Sequence, residues 1–210
     1  MLIVGVTGGV AGGKTTVSRI FEREGAYIID ADQIARELVQ VRSPAWKAIT
    51  RAFGKGILEE DGTIDRKRLA ERAFSDSRQR RLLNKILHPR IKKEMGKRAR
   101  EFGRKNPDAI VIFDVPLLVE TGFHREVERV VVITSTEKQQ IERLRKRAGV
   151  SKEETRRILS SQMPLKEKVK AADFVIPNKG SIEETRRKAR EVFQELKRIV
   201  LQKRRRPTDK

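Results

Sequence analysis

The chain has 210 residues, which against about 150 per domain reads as one domain carrying an insertion, or two small domains sharing a core. Lys and Arg number 49 against 29 Asp and Glu, and the resulting +20 points to phosphate-bearing partners, either small molecules or nucleic acid. With no cysteine and two histidines, a disulfide framework, a cysteine nucleophile and a thiolate or His-rich metal cage are excluded, so any metal must be oxygen-bound.

The first predicted strand is the apolar run from Leu2 to Val6. Gly8-Gly9-Val10-Ala11-Gly12-Gly13-Lys14-Thr15 follows, fits G-x-x-x-x-G-K-[ST], and opens an apolar-periodic helix from Lys14 to Glu24. Strand, glycine loop and helix in that order are the context of a phosphate-binding loop. Glycines let the backbone wrap a β-phosphate, the helix N-terminus adds partial positive charge, Lys14 reaches the β- and γ-phosphates, and Thr15 offers a hydroxyl to Mg²⁺. An NTP site is the inference. LIVGVTGG lacks the basic leader and long apolar stretch of a signal peptide, and no run reaches the roughly 18 apolar residues of a membrane span, so a cytoplasmic protein is expected.

The second strand, Tyr27 to Ile29, runs into Asp30-Ala31-Asp32 ahead of a helix from Gln33 to Val39. Ligands of open α/β sheets bind at the carboxyl ends of strands, so one carboxylate is expected to act on an attacking hydroxyl and the other merely to cap the helix. Residues 35–105 are too long for one crossover and read as an inserted, wholly helical subdomain, with Asp65 and Ser75 as N-caps. Residues 66–105 carry +12. His88-Pro89 is expected where one helix ends and the next begins, and Trp46 is assigned to packing.

The third strand ends Ile110-Val111-Ile112-Phe113-Asp114, which places a carboxylate where a phosphate loop's Mg²⁺ needs one. After a fourth strand, Val130 to Ile133, a helix from Glu137 to Arg147 sets Arg143 and Arg147 four apart on one face. The segment from Lys138 to Lys170 carries +7, and such arginines can clamp a transferring phosphoryl group, although composition alone favours a solvated face. A fifth strand, Phe174 to Ile176, precedes a helix from Ile182 to about Lys203 and a basic tail, residues 203–210. Thr136 with Gln139, Ser151 with Glu154 and Ser181 with Glu184 can each form a capping box. Strands and helices in alternation predict a three-layer α/β core.

The combination of VGVTGGVAGGKTT, IIDADQIARELV, FGKGILEEDGTIDRKRLAERAF, LNKILHP, FDVPLLVETG and ADFVIPNKGSIEET, in that order over roughly residues 2–195, resembles the dephospho-coenzyme A kinase family. The resemblance implies a P-loop nucleotide-kinase-like α/β/α core with a parallel five-stranded sheet over residues 1–34 and 106–202. It also implies a helical coenzyme-A-binding insert over 35–105 and a lid over about 138–170. It implies ATP-dependent phosphorylation of the ribose 3′-hydroxyl of dephospho-coenzyme A, the last step of coenzyme A synthesis, with Mg²⁺. Asp32 matches the family's catalytic base, with Lys14 and Arg147 also catalytic. ATP would meet Ala11, Gly12, Gly13, Lys14, Thr15, Thr16, Arg143 and Asn178; the acceptor would meet Asp32, His88, Pro116 and Leu117; the metal would meet Thr15 and Asp114. Two positions depart from the family pattern: Ala11 stands where Gly is usual, tolerable if its φ stays negative, and Ala148 follows Arg147 where Asp is common.

A different small-metabolite or nucleoside monophosphate kinase on the same core is the alternative. A nucleic-acid-binding protein is a further rival, but only ten aromatic residues occur and stacking platforms are scarce, so no specific nucleic acid and no membrane are expected as partners. The expected form is a monomer acting on a small molecule.

Overall fold

The computed structural model describes residues 1–148, 151–160 and 162–205, apart from the side chains of Phe74, Arg147, Ala148, Lys152, Glu153, Glu154 and Arg157. The chain falls into two compact units, one of Met1–Ile29 with the residues from Ala99 onward, the other Asp30–Arg98. All five expected strands form: β1 (Leu2–Gly8), β2 (Tyr27–Asp30), β3 (Ile110–Asp114), β4 (Arg129–Thr134) and β5 (Phe174–Pro177). They build one sheet in the order β2-β3-β1-β4-β5, with β1 central and parallel to both β3 and β4, and β4 parallel to β5.

Strands buried on both faces carry no polar alternation, which is why these segments read as continuous apolar runs. All five residues of β3 are buried. Against one face lie α1 (Lys14–Arg23) and α9 (Ile182–Arg205), whose Phe21 and Phe193 rings stack with centroids 5.6 Å apart. Both rings are almost wholly buried with Val17 and Leu196, so truncating either to Ala would cost about 3–5 kcal/mol. On the other face Phe113 stacks on Phe123 at 5.8 Å. Three more helices follow β4: α6 (Glu137–Ala148), α7 (Lys152–Ser160) and α8 (Leu165–Lys170).

Capping behaves as expected at two starts. Thr136 and Gln139 bond reciprocally at α6, as do Ser181 and Glu184 at α9. The Glu154 side chain of the third expected box lies outside the described residues. Helix α8 has no counterpart in the sequence reading, because six residues after Pro164 are too few to show a period.

The Asp30–Arg98 unit contains α2 (Ala31–Leu38), α3 (Pro44–Phe53), α4 (Arg66–Ser75) and most of α5 (Ser77–Lys105). It has its own core of Ile49, Phe53, Ile57, Ile64 and Leu69, against which Trp46 packs while its indole N–H donates to the Gly62 carbonyl at 2.9 Å. The unit is not wholly helical: Leu58 and Ile64 form an antiparallel bridge around a turn at Asp61-Gly62, where Gly62 takes φ 80°. Asp65 caps α4 as expected, accepting from the amides of Lys67 and Arg68. Ser75 does not cap. It ends α4, donating to the Arg72 carbonyl, and Asp76 accepts from the Arg78 amide at the start of α5.

His88-Pro89 does not separate two helices. Pro89 lies inside α5, where it supplies no amide, and beside it the Arg90 guanidinium donates to the Ile86 carbonyl at 2.6 Å. No helix among the described residues is long and apolar enough to cross a membrane.

Candidate active site

The phosphate loop leaves β1 at Gly8 and enters α1 at Lys14. Gly8 runs so close to β4 that a Cβ there would sit 2.7 Å from the Ile133 carbonyl oxygen. Gly13 takes φ 98°, and a Cβ there would collide with the Asn178 amide. The amide of Gly12 donates to the Gly9 carbonyl at 2.9 Å, closing the turn, and Thr16 and Val17 donate back to the Gly13 carbonyl as α1 begins. Ala11 has φ 51°, so the condition set by the sequence fails: this alanine is left-handed, where its Cβ crowds the carbonyl.

Side chains from beyond β4 hold the outer rim of the loop. Asn178 is buried; its amide nitrogen donates to the Gly12 carbonyl at 2.8 Å and its oxygen accepts from the Thr185 hydroxyl at 3.0 Å. Arg143 lies at 3.3 Å from the Ala11 carbonyl and 3.5 Å from that of Asn178. In a planar trans peptide the carbonyl and the following amide point opposite ways. Holding the Gly12 oxygen against Asn178 therefore turns the Gly13 N–H away from that side chain, while the Gly12 N–H is taken by the Gly9 carbonyl. Asn178 was expected at the nucleotide; its side-chain polar atoms here bond the protein.

Asp114, at the end of β3, is buried, pairs with Lys14, and accepts from the Ser18 hydroxyl at 2.7 Å. Ser18 escaped the sequence reading, although its place four residues after Lys14 puts both on one face of α1. Thr15 is exposed in the first turn of α1 and Thr16 half-buried beside it. Among the described residues no cluster of three or more His, Cys, Asp or Glu could hold a metal. One carboxylate and one hydroxyl do suit Mg²⁺, which takes few protein ligands and completes its shell with waters and phosphate oxygens.

The loop after β3 carries Pro116, whose carbonyl accepts from the Thr7 hydroxyl at 2.9 Å, and Leu117, which leaves 38% of its surface exposed. In the Asp30–Arg98 unit, Asp30 caps α2 by accepting from the amides of Asp32 and Gln33, at 2.8 and 3.1 Å. Asp32 stands exposed in the first turn of that helix. His88 is half-buried on α5, where burial, and then the charge of Lys92, hold its pKa below the usual value. The side chain of Arg147 lies outside the described residues.

The sequence pattern of the family described as dephospho-CoA kinase matches residues 2–184. A dephospho-CoA kinase of Carboxydothermus hydrogenoformans is 44% identical over 195 residues, which are 93% of this chain and 94% of the relative. One of Corynebacterium glutamicum is 41% identical over 196 residues, 93% and 100% of the two chains. The solved dephospho-CoA kinase of Campylobacter jejuni superposes with a TM-score of 0.70 at 28% identity, covering 93% of this chain and 97% of that one. The phosphate loop, the buried Asp114 beside Lys14 and a match over nearly the whole length agree: the chain belongs to the dephospho-CoA kinase family, kinases that transfer phosphate to an alcohol group.

Proposed function

We propose that the protein transfers the γ-phosphoryl group of ATP to the ribose 3′-hydroxyl of dephospho-coenzyme A in the cytoplasm, acting as a monomer. The observation that carries the reading is Asp114, buried at a strand end and bonded by Ser18 and Lys14, next to a loop whose Ala11 and Gly12 carbonyls are held by Arg143 and Asn178. Lys14 exchanges its contact with Asp114 for the β- and γ-phosphates, where a full positive charge offsets charge on the transferring group. The Thr15 hydroxyl and the Asp114 carboxylate would hold Mg²⁺, which when bound neutralises charge on the β- and γ-phosphate oxygens. Ser18 keeps one Asp114 oxygen occupied, so the carboxylate presents a fixed edge.

On the acceptor side, Asp32 takes the proton of the 3′-hydroxyl. Its support is position: Asp32 is exposed in the first turn of α2, directly after the end of β2, while Asp30 accepts from the amides of Asp32 and Gln33. His88, in the unit of α2 to α5, and Pro116 and Leu117, in the loop after β3, are the residues assigned to the acceptor, and the basic helices of the former unit suit a substrate that brings its own pyrophosphate. Arg143 and Arg147 close on the phosphates and exclude water, which would otherwise accept the phosphoryl group. Incubation with MgATP and dephospho-coenzyme A, with the product identified by mass, tests the reading. Coenzyme A and ADP in equal amounts are expected. ADP formed at an acceptor-independent rate, or phosphorylation of a different alcohol in preference, would overturn it.

A further inference from the structure

One buried cation has no part in the mechanism above. Lys168, on α8, is fully buried, and its ammonium lies 2.7 Å from a carboxylate oxygen of Glu120 and 3.2 Å from each of the carbonyls of Gly8 and Pro116. The Gln162 side-chain oxygen completes the surroundings at 3.5 Å. Three donors thus face one carboxylate and the two carbonyls at which the chain leaves β1 for the phosphate loop and β3 for the loop after Asp114.

A buried ion pair is a poor device for stability alone, since desolvation consumes most of the attraction and an apolar replacement of both partners is often neutral. The arrangement makes more sense as a clamp. The Gly8 oxygen and the Gly9 amide belong to one rigid peptide, so fixing the oxygen fixes the plane in which the loop departs from β1. The same ammonium fixes Pro116, two residues beyond Asp114, which Thr7 also holds. The two sides of the phosphate site are therefore referred to a single atom.

We propose that Lys168 is a positioning residue for the ATP-phosphate site, setting the phosphate loop against the Asp114 strand end, with Glu120 serving only to balance its charge. The proposal rests on reading the loop as the ATP site. A solvated basic run and a buried clamp look alike in sequence, so nothing in the charges of residues 138–170 singles out Lys168.

The test compares wild type, Lys168→Met and the double variant Lys168→Met/Glu120→Gln in thermal melting, in calorimetric titration with MgATP, and in steady-state kinetics. Lys168→Met leaves the Glu120 carboxylate buried without its cation and should melt lower. The double variant should regain most of the midpoint yet bind MgATP about tenfold more weakly, with the acceptor KM unchanged. A double variant that melts as wild type and binds MgATP within about twofold of it would overturn the proposal and leave Lys168 a structural charge. If the double variant does not fold, Lys168→Gln, uncharged and one bond shorter, is titrated with the same thresholds. Wild type that fails to bind MgATP would instead overturn the reading of the loop, and the proposal with it.

Discussion

The backbone amide of Asp32 donates to the carboxylate of Asp30 at 2.8 Å, so two aspartates that look equivalent in sequence differ in structure: Asp30 is the cap of α2 and Asp32 stands exposed in its first turn. Asp30→Ala should cost about 1 kcal/mol through loss of the α2 cap, with turnover at saturation largely kept. Asp32→Asn should keep stability and ATP affinity while lowering turnover roughly 10²-fold or more, the scale of general-base catalysis. Melting curves and steady-state kinetics of the two variants check the division. If Asp32→Asn raised only the acceptor KM, Asp32 would position the hydroxyl without taking its proton.

Around Asp114 the expected effects are graded by charge. Lys14→Ala removes the cation assigned above to the phosphates and should lower transfer by orders of magnitude, with the sheet intact because the residue lies at the start of α1. Ser18→Ala removes a neutral donor from a buried carboxylate that retains Lys14. It should lower stability by about 1–2 kcal/mol and move the Mg²⁺ requirement to higher concentration, since Lys14 alone of the two donors then orients Asp114. Single-turnover transfer measured across a Mg²⁺ series distinguishes the two.

His88 gives a stability signature in pH. Burial and Lys92 hold its folded pKa below the unfolded value of about 6.5. The folded state therefore binds fewer protons than the unfolded state as pH falls through about 6.5, and the His88 contribution, fully present above that pH, is lost below it. His88→Gln should flatten this part of the profile. Thermal midpoints of both proteins between pH 8 and 5 should converge toward the acid end, and parallel curves would show that His88 does not titrate as described.

The nucleotide half was legible because its chemistry is written in contiguous residues: the glycine loop, Lys14 with Thr15, and a carboxylate ending an apolar strand. What escaped was long-range. Ser18, Lys168 and Glu120 act through partners 96, 160 and 48 residues away, as Ser18 with Asp114, Lys168 with Gly8 and Glu120 with Lys168. No local pattern encodes such pairings. Two local expectations failed for a different reason: Pro89 and Ser75 are helix punctuation by propensity, yet tertiary packing carries α5 through the proline, and Asp76 sits one residue nearer the helix it caps. The bridge at Leu58 and Ile64 is marked in the sequence by Asp61-Gly62, a turn pair that carries no helical period.

Ala11 carries the last prediction. With φ 51° it holds a left-handed conformation that costs an L-residue about 1–2 kcal/mol and glycine almost nothing. Glycine loses about 0.4–1 kcal/mol through greater freedom of the unfolded chain, so Ala11→Gly should stabilise the protein by up to about 1 kcal/mol. The same alanine restricts the loop in the absence of ligand, with its carbonyl already held by Arg143. Preorganisation of that kind lowers the ordering cost of binding, so the more stable variant should bind MgATP somewhat more weakly. Arg143→Ala should weaken binding in the same direction without the gain in stability. Chemical denaturation and calorimetric titration of both variants check this; a tighter-binding Ala11→Gly would mean that the left-handed alanine is strain to be relieved and not a restraint the site uses.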